Sequence, residues 1–358
     1  MLNFALGPVM SSDLIIEIGA QQTPYFRTPE FSQVTLENER LMKELLGADE
    51  KSRVIFLTGS GTAGMEATVM NVFNKDDNVL VVNGGGFGQR FVDLCELHEI
   101  PCESLDIQFG HCLTQEMLDE YNNKEFTAFL VNICETSSGV YYDLDMISKF
   151  CKENNLLLVV DAVSSFLADP LNMVEQNVDV VITGSQKALA CPPGISIITL
   201  SEAAIKRVES TKCKSMYFDL NDMLINGIRG QTPYTPAITI LLQINARLNQ
   251  LKDDGGIDTE IKRISDLAND FRAKIKEFPF EIKCPCLSNA VTTVHSNEII
   301  ETNLVEVLKN EYDIWVSTAR DDLSKSMIFR VGHMGDLTPE DNDKLIDALR
   351  DMQKRGLF

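Results

Sequence analysis

The feature that most constrains the fold is a regular alternation, between residues 40 and 200, of short apolar runs and longer segments with helical spacing. The apolar runs are 54–57, 78–82, 129–133, 156–160, 178–182 and 195–200, and the helical segments are 64–73, 87–98, 114–121, 144–153 and 170–175. Runs that are apolar on both faces of the pleat are typical of strands covered by helices on each side. The alternation therefore predicts βαβ units, an α/β fold and a mostly parallel sheet.

The pattern changes after residue 200. A helix is predicted over 201–209 with Ser201 as its cap, and the breaker-rich segment 227–236 predicts a structured loop before a long helix over 237–251. The later predicted elements are helices over 259–278, 303–311 and 339–354 and strands over 280–282, 290–295, 314–317 and 327–331. With a boundary at Gly255-Gly256, the predicted organisation is an N-terminal segment 1–20, a large domain 21–254 and a small C-terminal α+β domain 255–358.

The balance of charge excludes some classes of partner. The 358 residues include 53 acidic and 32 basic side chains, which gives a formal net charge of −21. Nucleic acids and anionic membranes select clusters of lysine and arginine, so neither is expected as a partner. No segment approaches the ~20 apolar residues that span a bilayer, and the amino terminus lacks the features of a signal peptide. We therefore expect a cytoplasmic enzyme.

The nine cysteines are mostly placed within apolar patterns, as Cys95, Cys134 and Cys151 illustrate. This usage favours reduced thiols in the core of a protein from a reducing compartment. The pair Cys284-Pro-Cys286 lacks the second pair or the neighbouring histidine of a metal site, so no metal ligand is assigned.

A glycine-rich turn follows the first apolar run. The segment Gly59–Thr62 lies where a strand ends and a helix begins, and its hydroxyls and free backbone N–H groups suit one phosphate. The lysine of a P-loop is absent, and a tight turn that needs glycine is the alternative. A second glycine segment, Asn83–Arg90, follows the next strand and offers the aromatic ring of Phe87, which taken alone would be a core residue.

Two charged residues follow other buried runs. Asp161 directly follows the run 156–160, and a carboxylate at the end of a buried strand is costly unless it meets a cation or a proton donor. Lys187 follows 178–182 among small and apolar neighbours, where desolvation eases loss of its proton and allows attack on a carbonyl carbon. The alternatives are a capping aspartate and a solvated surface lysine.

Together, a phosphate cradle, an acid and a buried lysine at successive strand ends meet the requirements of pyridoxal 5′-phosphate. The cradle anchors the phosphate, Lys187 forms a Schiff base with the aldehyde, and Asp161 keeps the pyridine nitrogen protonated. In open α/β sheets the carboxyl ends of the strands are where ligands bind. We therefore predict a pyridoxal-phosphate enzyme.

The whole chain resembles the class V aminotransferases, which are pyridoxal-phosphate enzymes of fold type I, and is similar to the alanine–glyoxylate and serine–pyruvate aminotransferases. The motifs that carry the resemblance are Gly184–Leu189, Pro192–Gly194, Glu135–Gly139, Gly59–Thr62 and Phe329–Gly332. The resemblance implies a large domain with a seven-stranded, mostly parallel sheet covered by helices, and a smaller C-terminal domain. It also implies a homodimer with active sites at the subunit interface.

The resemblance also implies roles for individual residues. Lys187 is the Schiff-base lysine that shuttles the substrate Cα proton, and Asp161 is the pyridinium partner. Implied cofactor contacts are Ser60, Gly61, Thr62, Phe87, Thr136 and Gln186, with Gln231 and Thr235 reaching the phosphate of the neighbouring subunit. Arg330 is implied to grip the substrate carboxylate, for which a bidentate guanidinium is well suited, and Gly7 to border the substrate.

The predicted reaction is a ping-pong transfer of an amino group from a small donor, alanine or serine, to a short 2-oxo acid, pyruvate or glyoxylate. A 2-aminoethylphosphonate–pyruvate aminotransferase is the alternative, since it shares two of the motifs, although an Asn-Lys-Cys type of lysine segment is expected there. Cys191 lies in a proline-flanked turn and is a poor candidate for cysteine desulfuration. A regulatory protein derived from an enzyme that has lost its activity would lack Lys187 or Asp161, and both are present here. A nucleotide-binding module would use the glycine turns to bind a diphosphate.

For two further residues the sequence allows two alternative roles. Arg27 either borders the active site or forms a surface ion pair. His333 follows Arg330 and either lines the pocket or belongs to the core, and a lone histidine seldom catalyses without a partner.

Overall fold

The computed structural model describes residues 1–318 and 326–358. Its strands are β1 (Leu2–Phe4), β2 (Arg53–Thr58), β3 (Val79–Asn83), β4 (Cys102–Asp106), β5 (Ala128–Asn132), β6 (Cys134–Glu135), β7 (Val140–Tyr141), β8 (Leu157–Asp161), β9 (Val180–Gly184), β10 (Ile195–Leu200), β11 (Val291–His295), β12 (Ile314–Thr318) and β13 (Met327–Gly332). Its α-helices are α1 (Asp13–Gly19), α2 (Pro29–Leu45), α3 (Gly61–Val72), α4 (Gly86–Leu97), α5 (Gln115–Asp119), α6 (Leu144–Glu153), α7 (Glu202–Ser210), α8 (Leu220–Gly227), α9 (Ile238–Asp253), α10 (Ile257–Lys274), α11 (Leu304–Tyr312) and α12 (Pro339–Lys354).

The larger sheet has the strand order β2-β10-β9-β8-β5-β3-β4 within the described residues. Its strands are parallel except β10, which runs antiparallel to both β2 and β9. Every residue of β5, β9 and β10 is buried, because helices cover both faces. Successive residues of β3 belong to opposite core clusters: Val79 and Val81 pack on one face, Leu80 and Val82 on the other. The predicted α/β fold with a seven-stranded, mostly parallel sheet is confirmed.

Most element predictions hold to within a few residues, and two are wrong. The segment 170–175 does not form a helix. Turns cover residues 173–177, the backbone N–H groups of Met173 and Val174 donate to the carbonyls of Leu46 and Gly47, and Asn177 has a φ of +48° that ends the turns. The segment 280–282 forms only an isolated bridge, between Glu281 and His295. Strand β4 was not predicted, since Leu105 is its one buried residue.

A second sheet, in the order β1-β12-β13-β11, forms the core of the smaller lobe. Strand β1 pairs parallel to β12, so the amino-terminal residues join a sheet whose other strands come from the last 70 residues of the chain. Helices α10, α11 and α12 contribute to the same hydrophobic cluster. Pro339 opens α12, and a reciprocal capping box between Thr338 and Asp341 satisfies its first turn.

The cysteines depart from expectation at one pair. Cys112 and Cys286 form a disulfide with a Cα–Cα distance of 6.0 Å. The expectation of reduced thiols is therefore wrong for this pair, whereas Cys95, Cys134 and Cys151 are free and buried. The pairing joins residues 174 positions apart, which spacing alone could not indicate.

Within the described part of the chain, none of the helices has both the length and the apolar character that a bilayer crossing requires.

Candidate active site

The lysine predicted to be reactive lies in a compact turn after β9. Its Nζ donates a hydrogen bond to the Leu6 carbonyl oxygen at 2.5 Å. Gly7 packs against the same side chain with φ +138°, and a Cβ there would lie 2.9 Å from Cδ of Lys187. Burial lowers the pKa of Lys187 to about 8, and the nearby positive charge of Arg330 acts in the same direction. The amine is therefore easier to deprotonate than an ordinary lysine.

Asp161 is the last residue of β8, on the strand next to β9. Its carboxylate accepts hydrogen bonds from Asn132 Nδ2 at 2.8 Å and from the Val163 backbone N–H at 2.9 Å. Burial raises the pKa of Asp161 to about 6, although both hydrogen bonds oppose that rise. Among the described residues it forms no salt bridge, and the charge of nearby Lys187 only partly offsets the effect of burial on its pKa.

The glycine-rich turn forms the amino terminus of α3. Ser60 is the N-cap, and its side chain makes no capping hydrogen bond, which leaves the hydroxyl available to a ligand. The first backbone N–H groups of a helix have no partner within the helix, and its dipole favours an anion there. Gly61 is required by close packing, since a Cβ would lie 2.8 Å from a methyl group of Val163.

Phe87 is held by a buried carboxylate at the start of α4. Glu135 Oε2 accepts hydrogen bonds from the backbone N–H groups of Phe87 at 3.0 Å and Gly88 at 3.2 Å. Its other oxygen accepts from the backbone and the hydroxyl of Ser137. A carboxylate at a helix amino terminus is favoured by the macrodipole. Glu135 therefore fixes the position of the aromatic ring.

These elements enclose a cavity of about 170 Å³ at the carboxyl edge of the large sheet. It brings together seven predicted site residues: Ser60, Gly61, Thr62, Phe87, Asp161, Gln186 and Lys187. The cavity is also lined by five residues that were not among the predicted ones: Met65, Arg90, Asn132, Val163 and Ser164. Asn132 could have been identified, because it ends β5 and stands opposite Asp161 in the sheet register.

Arg330 and Thr136 meet each other beside this cavity. Arg330 lies on β13, and its Nη1 donates to the Thr136 carbonyl oxygen at 2.9 Å. Its Nε and Nη2 donate to the Thr318 carbonyl oxygen at 3.1 and 2.9 Å. The guanidinium is thus held between the two lobes, close enough to Lys187 to influence its pKa.

Gln231 and Thr235 lie apart from this cavity, in a separate one that Tyr217 and Tyr234 also line. The amide of Gln231 is used within its own chain, where Nε2 donates to the Phe26 carbonyl at 3.2 Å and to Ser32 Oγ at 2.6 Å. Thr235 is exposed. Their contact with a neighbouring subunit stays a prediction.

Arg27 and His333 take structural roles. Arg27 donates to the backbone carbonyls of Thr232 and Pro233 at 3.1 and 3.0 Å, which ties the amino-terminal segment to the loop before α9. His333 is completely buried, its Nε2 lies 2.8 Å from Thr292 Oγ1, and burial lowers its pKa well below the ordinary value. His333 is therefore a core residue.

The donor set fits pyridoxal phosphate. A lysine of lowered pKa suits the aldehyde, a buried acid held by two hydrogen bonds suits the ring nitrogen, and the start of α3 suits the phosphate. Gln186 adds a buried Oε1 that has no hydrogen-bond partner among the described residues. Such an unsatisfied polar atom is expected where a ligand completes the site.

The buried lysine predicts a pH dependence of stability in the protein without cofactor. Lys187 has a pKa of about 8 in the folded chain against 10.5 for the ordinary group. Between these pH values the unfolded chain binds more protons, so the free energy of unfolding rises with pH, by about 3 kcal/mol over the window. Lys187→Met removes this contribution. Urea unfolding at pH 7.5 and pH 10 should show the variant's stability advantage shrinking at high pH, and an advantage independent of pH would contradict the lowered pKa.

Comparison with known proteins agrees with this geometry. The family model described as aminotransferase class-V matches residues 24–322. An uncharacterised aminotransferase of Methanocaldococcus jannaschii is 31% identical over 338 residues, which cover 92% of this chain and 86% of the relative. A serine–glyoxylate aminotransferase of Hyphomicrobium methylovorum is 30% identical over 322 residues, covering 86% and 78% of the two chains.

A solved structure shows the same fold. The subgroup IV aspartate aminotransferase of Thermus thermophilus superimposes with a TM-score of 0.91 at 25% identity, and the alignment covers 99% of each chain. The family match spans most of the sequence and includes Lys187, Asp161 and the glycine-rich turn. The chain belongs to the class V aminotransferases, enzymes that use pyridoxal 5′-phosphate to transfer amino groups.

Proposed function

We propose that this aminotransferase moves an amino group from a small donor, alanine or serine, to pyruvate or glyoxylate by a ping-pong mechanism. The observation that carries the proposal is the shared cavity of Lys187 and Asp161, with the guanidinium of Arg330 beside it. The resemblance to a serine–glyoxylate aminotransferase supports a short donor and glyoxylate as acceptor.

Lys187 acts as nucleophile and then as proton carrier. When bound, pyridoxal phosphate supplies an aldehyde that condenses with amines and a ring that accepts an electron pair. A pKa of about 8 leaves about one lysine in ten unprotonated at pH 7, far more than an ordinary lysine provides. Its Nζ would then accept the proton from the substrate Cα and hold it as an ammonium until the proton is returned to the product. The Leu6 carbonyl oxygen orients this amine.

Asp161 holds the proton of the ring nitrogen. Asn132 and the Val163 backbone fix its carboxylate by two hydrogen bonds, so that little reorganisation is needed when the ring arrives. A cationic N–H group next to it lowers its pKa again and keeps it ionised. This fixed negative charge stabilises the protonated ring.

Arg330 binds the substrate carboxylate. The backbone carbonyls of Thr136 and Thr318 hold the planar guanidinium in one orientation, and a guanidinium presents paired N–H groups to a carboxylate. Gly7 leaves room for the substrate beside Lys187, since any larger residue would press on the lysine side chain. The substrate amine is thereby directed towards the cofactor aldehyde.

We also propose a homodimer in which the loop that contains Thr235 approaches the partner's active site. Tyr234 in this loop stacks on Tyr217 with ring centroids 5.5 Å apart, and its hydroxyl donates to the Met216 carbonyl. Met216 is 79% exposed, and Ile228, at the start of the loop, is 71% exposed. A subunit interface that included this loop would remove both side chains from water.

A panel of substrates tests the proposed reaction. Alanine, serine, aspartate and 2-aminoethylphosphonate are offered as donors, each with pyruvate and with glyoxylate, and reactions without donor serve as controls. We expect the highest kcat/KM for alanine or serine, with parallel double-reciprocal plots, because Arg330 supplies a site for the α-carboxylate that both carry. Preference for 2-aminoethylphosphonate, which lacks that carboxylate, would establish the alternative reaction instead.

A further inference from the structure

Arg90 lies in the active-site cavity without a role in the chemistry described above. It belongs to the second glycine segment, one turn into α4, and lines the cavity together with Thr62, Phe87 and Lys187. Its Nη1 donates a hydrogen bond to Thr62 Oγ1 at 3.0 Å. It therefore links α4 to the turn proposed to bind the cofactor phosphate.

This hydrogen bond has a defined direction. A guanidinium has N–H donors and no acceptor, so the Thr62 oxygen must accept from Arg90. The single proton of the Thr62 hydroxyl is then left for another acceptor. A hydroxyl that accepts from a cation is also a stronger donor, because hydrogen bonds in a chain polarise one another.

The guanidinium is itself held in place by Phe87. Its central carbon lies 4.8 Å from the centroid of the Phe87 ring, within the range of a cation–π contact. The backbone of Phe87 is fixed in turn by the buried carboxylate of Glu135. The chain of contacts from Glu135 through Phe87 to Arg90 therefore ends at Thr62.

We propose that Arg90 is a positioning residue that makes the Thr62 hydroxyl a donor to the cofactor phosphate. The inference rests on the proposed function, in which the start of α3 binds that phosphate. The proposal concerns affinity for the phosphate group, and the amine and proton chemistry of Lys187 does not depend on it.

Equilibrium dialysis of the apoenzyme with pyridoxal phosphate and with pyridoxal, which lacks the phosphate, tests this inference. We expect Arg90→Gln to raise the Kd for pyridoxal phosphate at least about tenfold, the size expected for one hydrogen bond to a charged group. The Kd for pyridoxal should change less than about threefold. Arg40→Gln, which removes an exposed arginine on α2, is the matched control and should leave both values unchanged.

A double-mutant cycle shows whether Arg90 acts through Thr62. We expect Thr62→Val alone to weaken pyridoxal-phosphate binding about as much as Arg90→Gln, and the double variant to be no more than about threefold weaker than Thr62→Val. Additive losses, or equal weakening for both ligands, would overturn the proposed role. Arg90→Met is the second variant should Arg90→Gln fold poorly: because its side chain keeps an apolar stem but donates no hydrogen bond to Thr62, wild-type affinity in this variant would also overturn the role.

The same titrations separate this inference from the proposed function. If wild-type protein binds pyridoxal phosphate no more tightly than pyridoxal, the phosphate site at the start of α3 is wrong and the inference fails with it. If the wild type prefers the phosphorylated ligand and Arg90→Gln keeps that preference, only the role of Arg90 is wrong.

Discussion

Replacement of Lys187 by alanine is expected to lower the rate of transamination by roughly four orders of magnitude or more. The methyl side chain can neither condense with an aldehyde nor carry a proton from the substrate Cα. The Leu6 carbonyl oxygen loses its donor as well, although the surrounding turn keeps its backbone hydrogen bonds from Ala190 to Lys187 and from Cys191 to Ser185. The fold should therefore persist, and single-turnover kinetics with alanine and glyoxylate should show the loss.

A matched lysine substitution separates this effect from a general change of charge. Lys75 is exposed in the connection after α3, and Lys75→Ala should retain wild-type kcat and KM. Circular dichroism of both variants checks that the fold is intact. Folded Lys187→Ala protein with more than about one per cent of wild-type kcat would remove Lys187 from the centre of the mechanism.

Replacement of Asp161 by asparagine is expected to lower kcat by roughly 10²- to 10³-fold while the lysine stays reactive. The amide has nearly the same shape but lacks the negative charge that stabilises a protonated ring nitrogen. Burial raises the pKa of Asp161 to about 6. The amide can accept only one of the two hydrogen bonds that the carboxylate accepts from Asn132 and Val163, so the apoprotein should also lose some stability. Steady-state kinetics together with urea unfolding give both quantities.

Asp169 offers a control for the loss of a buried carboxylate. Burial raises its pKa to about 6 as well, but it accepts hydrogen bonds from Ser288 Oγ at 2.6 Å and from the Asn289 backbone at 2.8 Å, outside the active-site cavity. Asp169→Asn should therefore reduce stability while kcat of the folded protein stays within about threefold of wild type. Equal losses of kcat in both variants would show that Asp161 acts through structure rather than charge.

The two reactive residues of the site, Asp161 and Lys187, could be predicted because the apolar runs in the sequence indicate where the buried strands end. Asp161 and Lys187 each follow an apolar run, and parallel strands place their carboxyl ends on one edge of a sheet. The same logic extends to Asn132, which stands opposite Asp161. Residues joined by neighbouring strands are therefore predictable from local patterns.

Contacts between distant segments were not predictable in this way. Strand β1 lies in the sheet of the small lobe. The residues that follow it place the Leu6 carbonyl oxygen within hydrogen-bond distance of Lys187, which is 181 positions away. The bond from Arg90 to Thr62 and the disulfide from Cys112 to Cys286 depend likewise on packing between elements. Neither the hydrophobic periodicity nor a local motif predicts these contacts, because they form only when distant elements pack together.

The central claim is that the amine of Lys187 carries the cofactor, and reductive labelling tests it most directly. Purified protein is saturated with pyridoxal phosphate, reduced with borohydride, digested, and its peptides are identified by mass spectrometry. We predict loss of the near-visible absorbance band and a single phosphopyridoxyl group on the peptide that contains Lys187. A stable label on a different lysine, or none on any peptide, would contradict the account.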